Sequence, residues 1–269
     1  MWCVAETPAL QLDRITPPAL VGYLAELEAA GLSVASRKLH LAALRHWLDW
    51  LCQRGVLPFN PAASVRAPKL VGREGKTPVL EREQARRLLD SMGDDLVSLR
   101  DRAMMAVMLF GFVRVSAVCR MSVKDFEDTG GDAWLVLHEK GGRERRIPCH
   151  HRARDYLRVY MEAAGLSTPE NRRNPLFQTV RGRTALLTGK PMRRTDTLVM
   201  VKRRCATAAL PPSVCNHSFR ATGINIHQEN GGRLEDAQVL AGHADARTTR
   251  LYVRGNQKIA RAEVERVQL

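Results

Sequence analysis

Aromatic residues are scarce: 4 Trp, 4 Tyr and 6 Phe make up 5% of the 269 residues. Long apolar runs are missing altogether. The longest candidate, 103–113, falls short of the roughly 18 residues of a membrane span and reads as a buried helix. Adhesion to a membrane surface would call for a basic amphipathic helix rich in bulky aromatics, which the composition does not offer. The first residues carry Glu6 and no basic-then-apolar leader, so the protein is expected in the cytoplasm. Paired cysteines are also lacking. The six, at positions 3, 52, 119, 149, 205 and 215, form no C-x-x-C and read as reduced, mostly buried thiols. Cys149-His150-His151 and Cys215-Asn216-His217 match no ligand spacing of structural zinc, so no metal is expected.

Several chemical engines are absent. Gly189-Lys190 is followed by Pro191 where a phosphate-binding G-x-x-x-x-G-K-[ST] loop needs a hydroxyl. There is no G-x-G-x-x-G, no G-x-S-x-G, no H-E-x-x-H and no acidic cluster of the kind a two-metal nuclease needs. What the chain has in excess is positive charge. Forty-two Lys and Arg against 28 Asp and Glu give +14, with a pI near 10.1. Positions 1–70 carry +2 of this and positions 71–269 carry +12. A domain pI above about 9 is a footprint of nucleic-acid binding. For a basic protein acting on DNA without these engines, one remaining route is covalent. A side-chain hydroxyl attacks a phosphodiester while cations and imidazoles balance the charge.

Positions 1–65 read as helical. Thr16 is expected to cap a helix with Pro17 in its first turn, ending at Gly31, and Ser33 to cap a longer one that stops before Gly55. The stretch 67–78 is basic and rich in Pro and Gly, as a linker is. This places an N-terminal helical domain at 1–70, a linker at 71–78 and a second domain at 79–269. In the second domain, helices are expected at 81–91, 99–112, 151–164, 193–209, 217–229, 234–241, 246–254 and 257–267. Residues 133–138 and 143–149 read as the two strands of a hairpin turning at 139–142. The whole is mostly α with one small antiparallel β-sheet. The methionine-rich stripe 104–109 is core, and His150, His151 and His227 are structural.

The residues suited to the covalent route recur at definite spacings. Arg114 lies in Gly111-Phe112-Val113-Arg114-Val115-Ser116, just past the apolar helix, and Lys140 lies in the hairpin turn. His217 and Arg220 are three apart and share a helix face. Gly242-His243 follows further along the chain, and Tyr252 stands nine positions after His243. In order and spacing this set resembles the tyrosine recombinases, the phage-integrase-like enzymes that break and rejoin DNA. The N-terminal region resembles the family's helical core-binding domain, in Ile15-Thr16-Pro17 before a helix and Asn60-Pro61-Ala62 before the linker.

The resemblance implies a core-binding domain and a catalytic domain clamped on duplex DNA, and a homotetramer on that DNA. It implies Arg114, Lys140, His217, Arg220, His243 and Tyr252 as catalytic residues, with Tyr252 forming a 3′-phosphotyrosyl bond and neither metal nor nucleotide required. Arg143, Arg145 and Arg146 on the return strand are expected to contact backbone phosphates or to stand solvated, not to catalyse. A role in a mobile genetic element is expected. Two departures stand out. The family's usual acidic residue three positions after the first arginine is here Ala117, and Asp125 or Glu127 is the expected substitute brace for Arg114. The N-terminal domain is also expected to lack its first helix. Two other readings stay open: a DNA-binding relic that has lost catalysis, and a DNA-relaxing or end-resolving enzyme with the same chemistry.

Overall fold

The computed structural model describes residue 12 and residues 15–69, 77–139, 142–182 and 184–242. Lys140, His243, Tyr252 and the helices expected at 246–254 and 257–267 lie outside the described residues. The chain divides into two compact units, Met1–Arg73 and Glu74–Leu269.

In the first unit, α1 (Pro17–Ala29) opens at Thr16, whose hydroxyl accepts from the Ala19 amide at 3.4 Å. Helix α2 (Val34–Gln53) opens at Ser33, whose hydroxyl accepts from the Ser36 amide at 3.1 Å. Both caps satisfy amides that the first helical turn leaves without a partner. Between them Gly31 turns the chain at φ +78°, a conformation glycine adopts without a Cβ penalty. Leu20, Leu24, Leu41, Leu48 and Leu51 close a small core with Leu57, Ala62 and Val65.

The second unit is built around α4 (Leu96–Phe110), which follows α3 (Arg82–Asp90). Asp95 caps α4 by accepting from the Val97 and Ser98 amides, so the helix begins earlier than the apolar periodicity suggests. Met104, Met105 and Met108 are fully buried. A helix buried on most of its circumference shows little amphipathicity and must be enclosed by other elements. Here α6 (His151–Ala163) and α8 (Asn216–Glu229) pack on it. Asp101 on α4, fully buried, accepts from Arg100, Arg203 and Arg204, and so ties α4 to α7 (Arg194–Thr207).

Strands β1 (Phe126–Asp128), β2 (Ala133–His138) and β3 (Glu144–Pro148) form an antiparallel sheet in that order. Leu135 lies opposite Ile147, and Leu137 opposite Arg145. Ala133, Leu135 and Leu137 face inward and alternate with Trp134, Val136 and His138, the period-two pattern of a half-buried strand. The expectation of a single sheet is corrected by a second, two-stranded one, β4 (Gln178–Val180) with β5 (Leu187–Pro191). Strand β5 is exposed almost throughout and carries Gly189 and Pro191, so it has no apolar alternation to read. The second unit also holds the short helices α5 (Val115–Val118) and α9 (Leu234–Ala241) and 3₁₀ turns at Val123–Asp125 and Pro169–Arg173. Among the described residues, no helix is long and apolar enough to cross a membrane.

Helices α4 and α8 meet at Gly223. A Cβ there would stand 2.0 Å from the Leu109 carbonyl oxygen and 2.8 Å from the Phe112 ring. Gly223→Ala therefore has to push the two helices apart. It is expected to cost about 2 kcal/mol of stability, read as a lower urea midpoint at unchanged slope.

Candidate active site

Three segments converge where α4 ends. The first is the turn after Phe110. Gly111 ends the helix, and Phe112 then takes φ +50°, a left-handed conformation costly for a residue with a bulky side chain. Two residues on, Arg114 begins α5. The turn is held from the second segment, α8. Arg220 is completely buried; its Nη1 donates to the Phe112 carbonyl and its Nη2 to the Ala241 carbonyl at 2.7 Å. One guanidinium thus ties the strained turn before Arg114 to the end of α9, and its planar fork suits two acceptors at once.

His217 lies one helical turn before Arg220. The residue opens to solvent, yet its imidazole is held below the ordinary histidine value by desolvation of the ring, then by the charges of Arg220 and Arg114. Because the residue stays in contact with water, the two arginine charges are the more telling cause. They place Arg114, Arg220 and His217 in one electrostatic neighbourhood, and they favour a neutral imidazole that can accept a proton.

The third segment is the β2–β3 hairpin. Glu139 pairs with Arg143 through the backbone, its amide donating to the Arg143 carbonyl at 2.8 Å. Its carboxylate accepts from Arg114 Nη1 at 3.3 Å and from Arg145 Nη2 at 3.1 Å. Arg145 Nη1 donates to the Val239 and Leu240 carbonyls at the end of α9. Gly242 follows at φ +59°, and a Cβ on it would stand 3.0 Å from Arg145 Nε and 3.2 Å from Glu139 Oε2. Glu139 and Gly242, which precede Lys140 and His243 in the chain, therefore meet at one place.

Neither carboxylate expected to brace Arg114 does so. Asp125 accepts from the Ser122 amide and hydroxyl and meets His138 Nε2 at 3.1 Å. Glu127 accepts from Arg146 Nε at 2.9 Å. Both were drawn into local pairs by the strand and turn that carry them, and Glu139 takes the arginine instead. Of the three arginines expected on phosphates or solvated, Arg143, just before β3, is exposed and Arg146 stacks on Trp134 at 4.1 Å. Arg145 is turned inward, with its side chain 18% exposed.

With this arrangement in view, similarity to known proteins is informative. The model of the phage integrase family matches residues 78–258, and that of the phage integrase N-terminal SAM-like domain matches residues 4–55. The chain belongs to the phage integrase family. Among its relatives, the tyrosine recombinase XerC of Yersinia pestis is 30% identical over 223 residues, spanning 83% of this chain and 69% of that protein. The XerC of Mycobacterium sp. (strain KMS) is 28% identical over 259 residues, 93% of this chain and 82% of that one. In fold it is similar to the XerH site-specific recombinase in a post-cleavage complex with a palindromic difH substrate. The TM-score is 0.69 at 19% identity, over 90% of this chain and 69% of that one. The Tn1549 transposon integrase in complex with circular intermediate DNA gives a TM-score of 0.71 at 18% identity, over 96% and 87%. As a family member this protein is a tyrosine-type, site-specific DNA recombinase, mostly α with small antiparallel sheets.

Sequence spacing brought out Arg114, His217 and Arg220 in this integrase-family chain, and the structure brings all three together. Phe112 and Glu139 have no such spacing to mark them, and Arg145, expected on backbone phosphates or solvated, is instead turned onto Glu139 and the Leu240 carbonyl. The one signal for Glu139 was an acidic residue beside Lys140 in an otherwise basic turn. Burial, and then the charge of Asp128, push the Cys149 thiol up to about 12.

Proposed function

We propose that this recombinase cleaves and rejoins duplex DNA through a 3′-phosphotyrosyl intermediate on Tyr252, in the service of a mobile genetic element. The observation that carries the reading is the joining of Arg114 and Arg220 through the Phe112 turn, beside a histidine biased to its neutral form. In this reading Tyr252 Oη attacks the scissile phosphorus. The P–O bond to the 5′-oxygen breaks, and Lys140 delivers a proton to the leaving 5′-oxygen, which departs as a hydroxyl. His217 accepts or relays the Tyr252 proton, and His243 hydrogen-bonds a phosphate oxygen. Arg114 and Arg220 neutralise the non-bridging oxygens where charge builds. Arg114, with its side chain 40% exposed, is open to a phosphate as it stands.

Attack by the 5′-hydroxyl of a partner strand reverses the step, and the phosphotyrosine keeps the energy of the broken bond. Nucleotide and metal are then unnecessary, since the arginines and Lys140 carry the positive charge. The N-terminal unit, 1–70, serves as the core-binding domain, and 79–269, after the linker, as the catalytic domain. DNA binding is dominated by phosphate contacts, among them Arg143 and Arg146, and weakens steeply with salt. The active assembly is a homotetramer on DNA; the XerH and Tn1549 proteins, solved with DNA, support duplex DNA as the partner.

The test is a panel of nicked suicide duplexes carrying candidate element ends, incubated in EDTA without nucleotide. An adduct stable in detergent is expected. Cleavage that leaves no adduct and returns only with magnesium or zinc would overturn the mechanism.

A further inference from the structure

We propose that Glu139 is the positioning residue for Arg114, doing from the hairpin the work that a carboxylate at position 117 would otherwise do, and that it couples Arg114 to the end of α9. The proposal rests on the reading of Arg114 given above. It begins with the strand. The inward-facing positions of β2 are 133, 135 and 137, so the next inward position is 139. A carboxylate there, with only 15% of the side chain exposed, is expensive unless cations meet it. Two do. Arg114 reaches Oε1 at 3.3 Å from the α5 turn, and Arg145 reaches the same oxygen at 3.1 Å from β3.

At position 117 the side chain is a methyl group, buried to 1% exposure, and can accept nothing. Among the described residues, Glu139 is the carboxylate paired with Arg114. A guanidinium on a long stem has many rotamers; a charge-assisted bond to one end limits them and leaves the rest of the group to face a phosphate. The same carboxylate reaches α9 through Arg145, which holds the Val239 and Leu240 carbonyls. Its other oxygen lies where a Cβ on Gly242 would touch it. The arginine's hold, the hairpin ahead of Lys140 and the turn ahead of His243 thus share one group. A carboxylate at 117 could brace Arg114 from its own helix but would not make this link.

The test uses the full chain and the suicide duplex that yields the wild-type adduct. It compares single-turnover cleavage with duplex affinity in Arg114→Ala, Glu139→Ala, Ala117→Glu and the double variant Glu139→Ala/Ala117→Glu. Glu139→Ala is expected to slow cleavage about 10- to 100-fold while duplex Kd changes less than about threefold. Moving the carboxylate to position 117 in that background is expected to restore at least about tenfold. Ala117→Glu alone is expected to stay within about tenfold of wild type.

Glu139→Gln keeps the shape. If Glu139→Ala unfolds, it takes its place, with the same rescue expected. Wild-type cleavage by the Glu139 variants, or a loss that Ala117→Glu does not lift in a folded protein, would overturn the proposal. Arg114→Ala separates the two levels. If it cleaves normally, the active-site reading falls and the brace with it; if it is dead while Glu139→Ala is normal, the brace alone falls.

Discussion

Tyr252→Phe is expected to bind duplex DNA within about threefold of wild type, because phosphate contacts from Lys and Arg carry most of the affinity and none is touched. It is expected to form no covalent adduct and to lose cleavage by at least about 10³-fold, or about 4 kcal/mol in the barrier. Only the phenolic oxygen is removed and the aromatic ring is kept. The chain has three other tyrosines, and each is engaged elsewhere. The Tyr160 ring is fully buried; its hydroxyl donates to the Leu176 carbonyl at 2.8 Å, and burial pushes its pKa up to about 12. The Tyr156 hydroxyl accepts from Arg152 at 2.9 Å, and that of Tyr23 meets His40 at 2.7 Å in the N-terminal unit. Detergent-resistant adducts and gel-shift affinities measure the two effects separately. An adduct that persists in Tyr252→Phe would sink the assignment of the nucleophile.

Arg220→Ala is expected to damage stability and catalysis together. The substitution removes a fully buried side chain and leaves the Phe112 and Ala241 carbonyls without their donor. Two orphaned buried acceptors and a cavity cost about 3 kcal/mol or more, on the order of 6–12 °C in melting temperature for a domain of this size. Cleavage is expected to fall at least about 10³-fold. Part of the loss is the missing phosphate charge, and part is the release of the Phe112 turn that sets Arg114. Arg220→Lys separates these parts. The ammonium restores the charge and some stability, but a flexible point charge cannot fork to two carbonyls on separate segments. Arg220→Lys is therefore expected to melt nearer to wild type while recovering little cleavage. Lys at this position cleaving within about threefold of wild type would show that the fork has no role.

The sequence by itself determined the parts of this protein that rest on local physics. Thr16 and Ser33 each cap the helix that follows, through an amide in its first turn. Leu234 to Ala241 forms a helix with the bounds its periodicity implies, and the strand 133–138 follows from alternation of apolar and polar residues. The spacing of Arg114, His217 and Arg220 was legible in the same way, because order along the chain is all that such a signature needs.

What only the tertiary structure decided are the pairings between distant segments. Strand alternation turns Glu139 inward but does not name Arg114 as its partner, and nearer carboxylates, Asp125 and Glu127, are as suitable on sequence grounds until their local partners are seen. Phe112 at φ +50° runs against its own local preference and is held by distant groups, Arg220 gripping its carbonyl from α8 and His227 packing edge-on against its ring. The β4–β5 sheet, which has no apolar face, was likewise invisible. The physical reason is common to the first two. Capping and amphipathic periodicity are satisfied within a few residues, whereas a buried charge or a strained turn is stabilised by whichever group the fold brings to it.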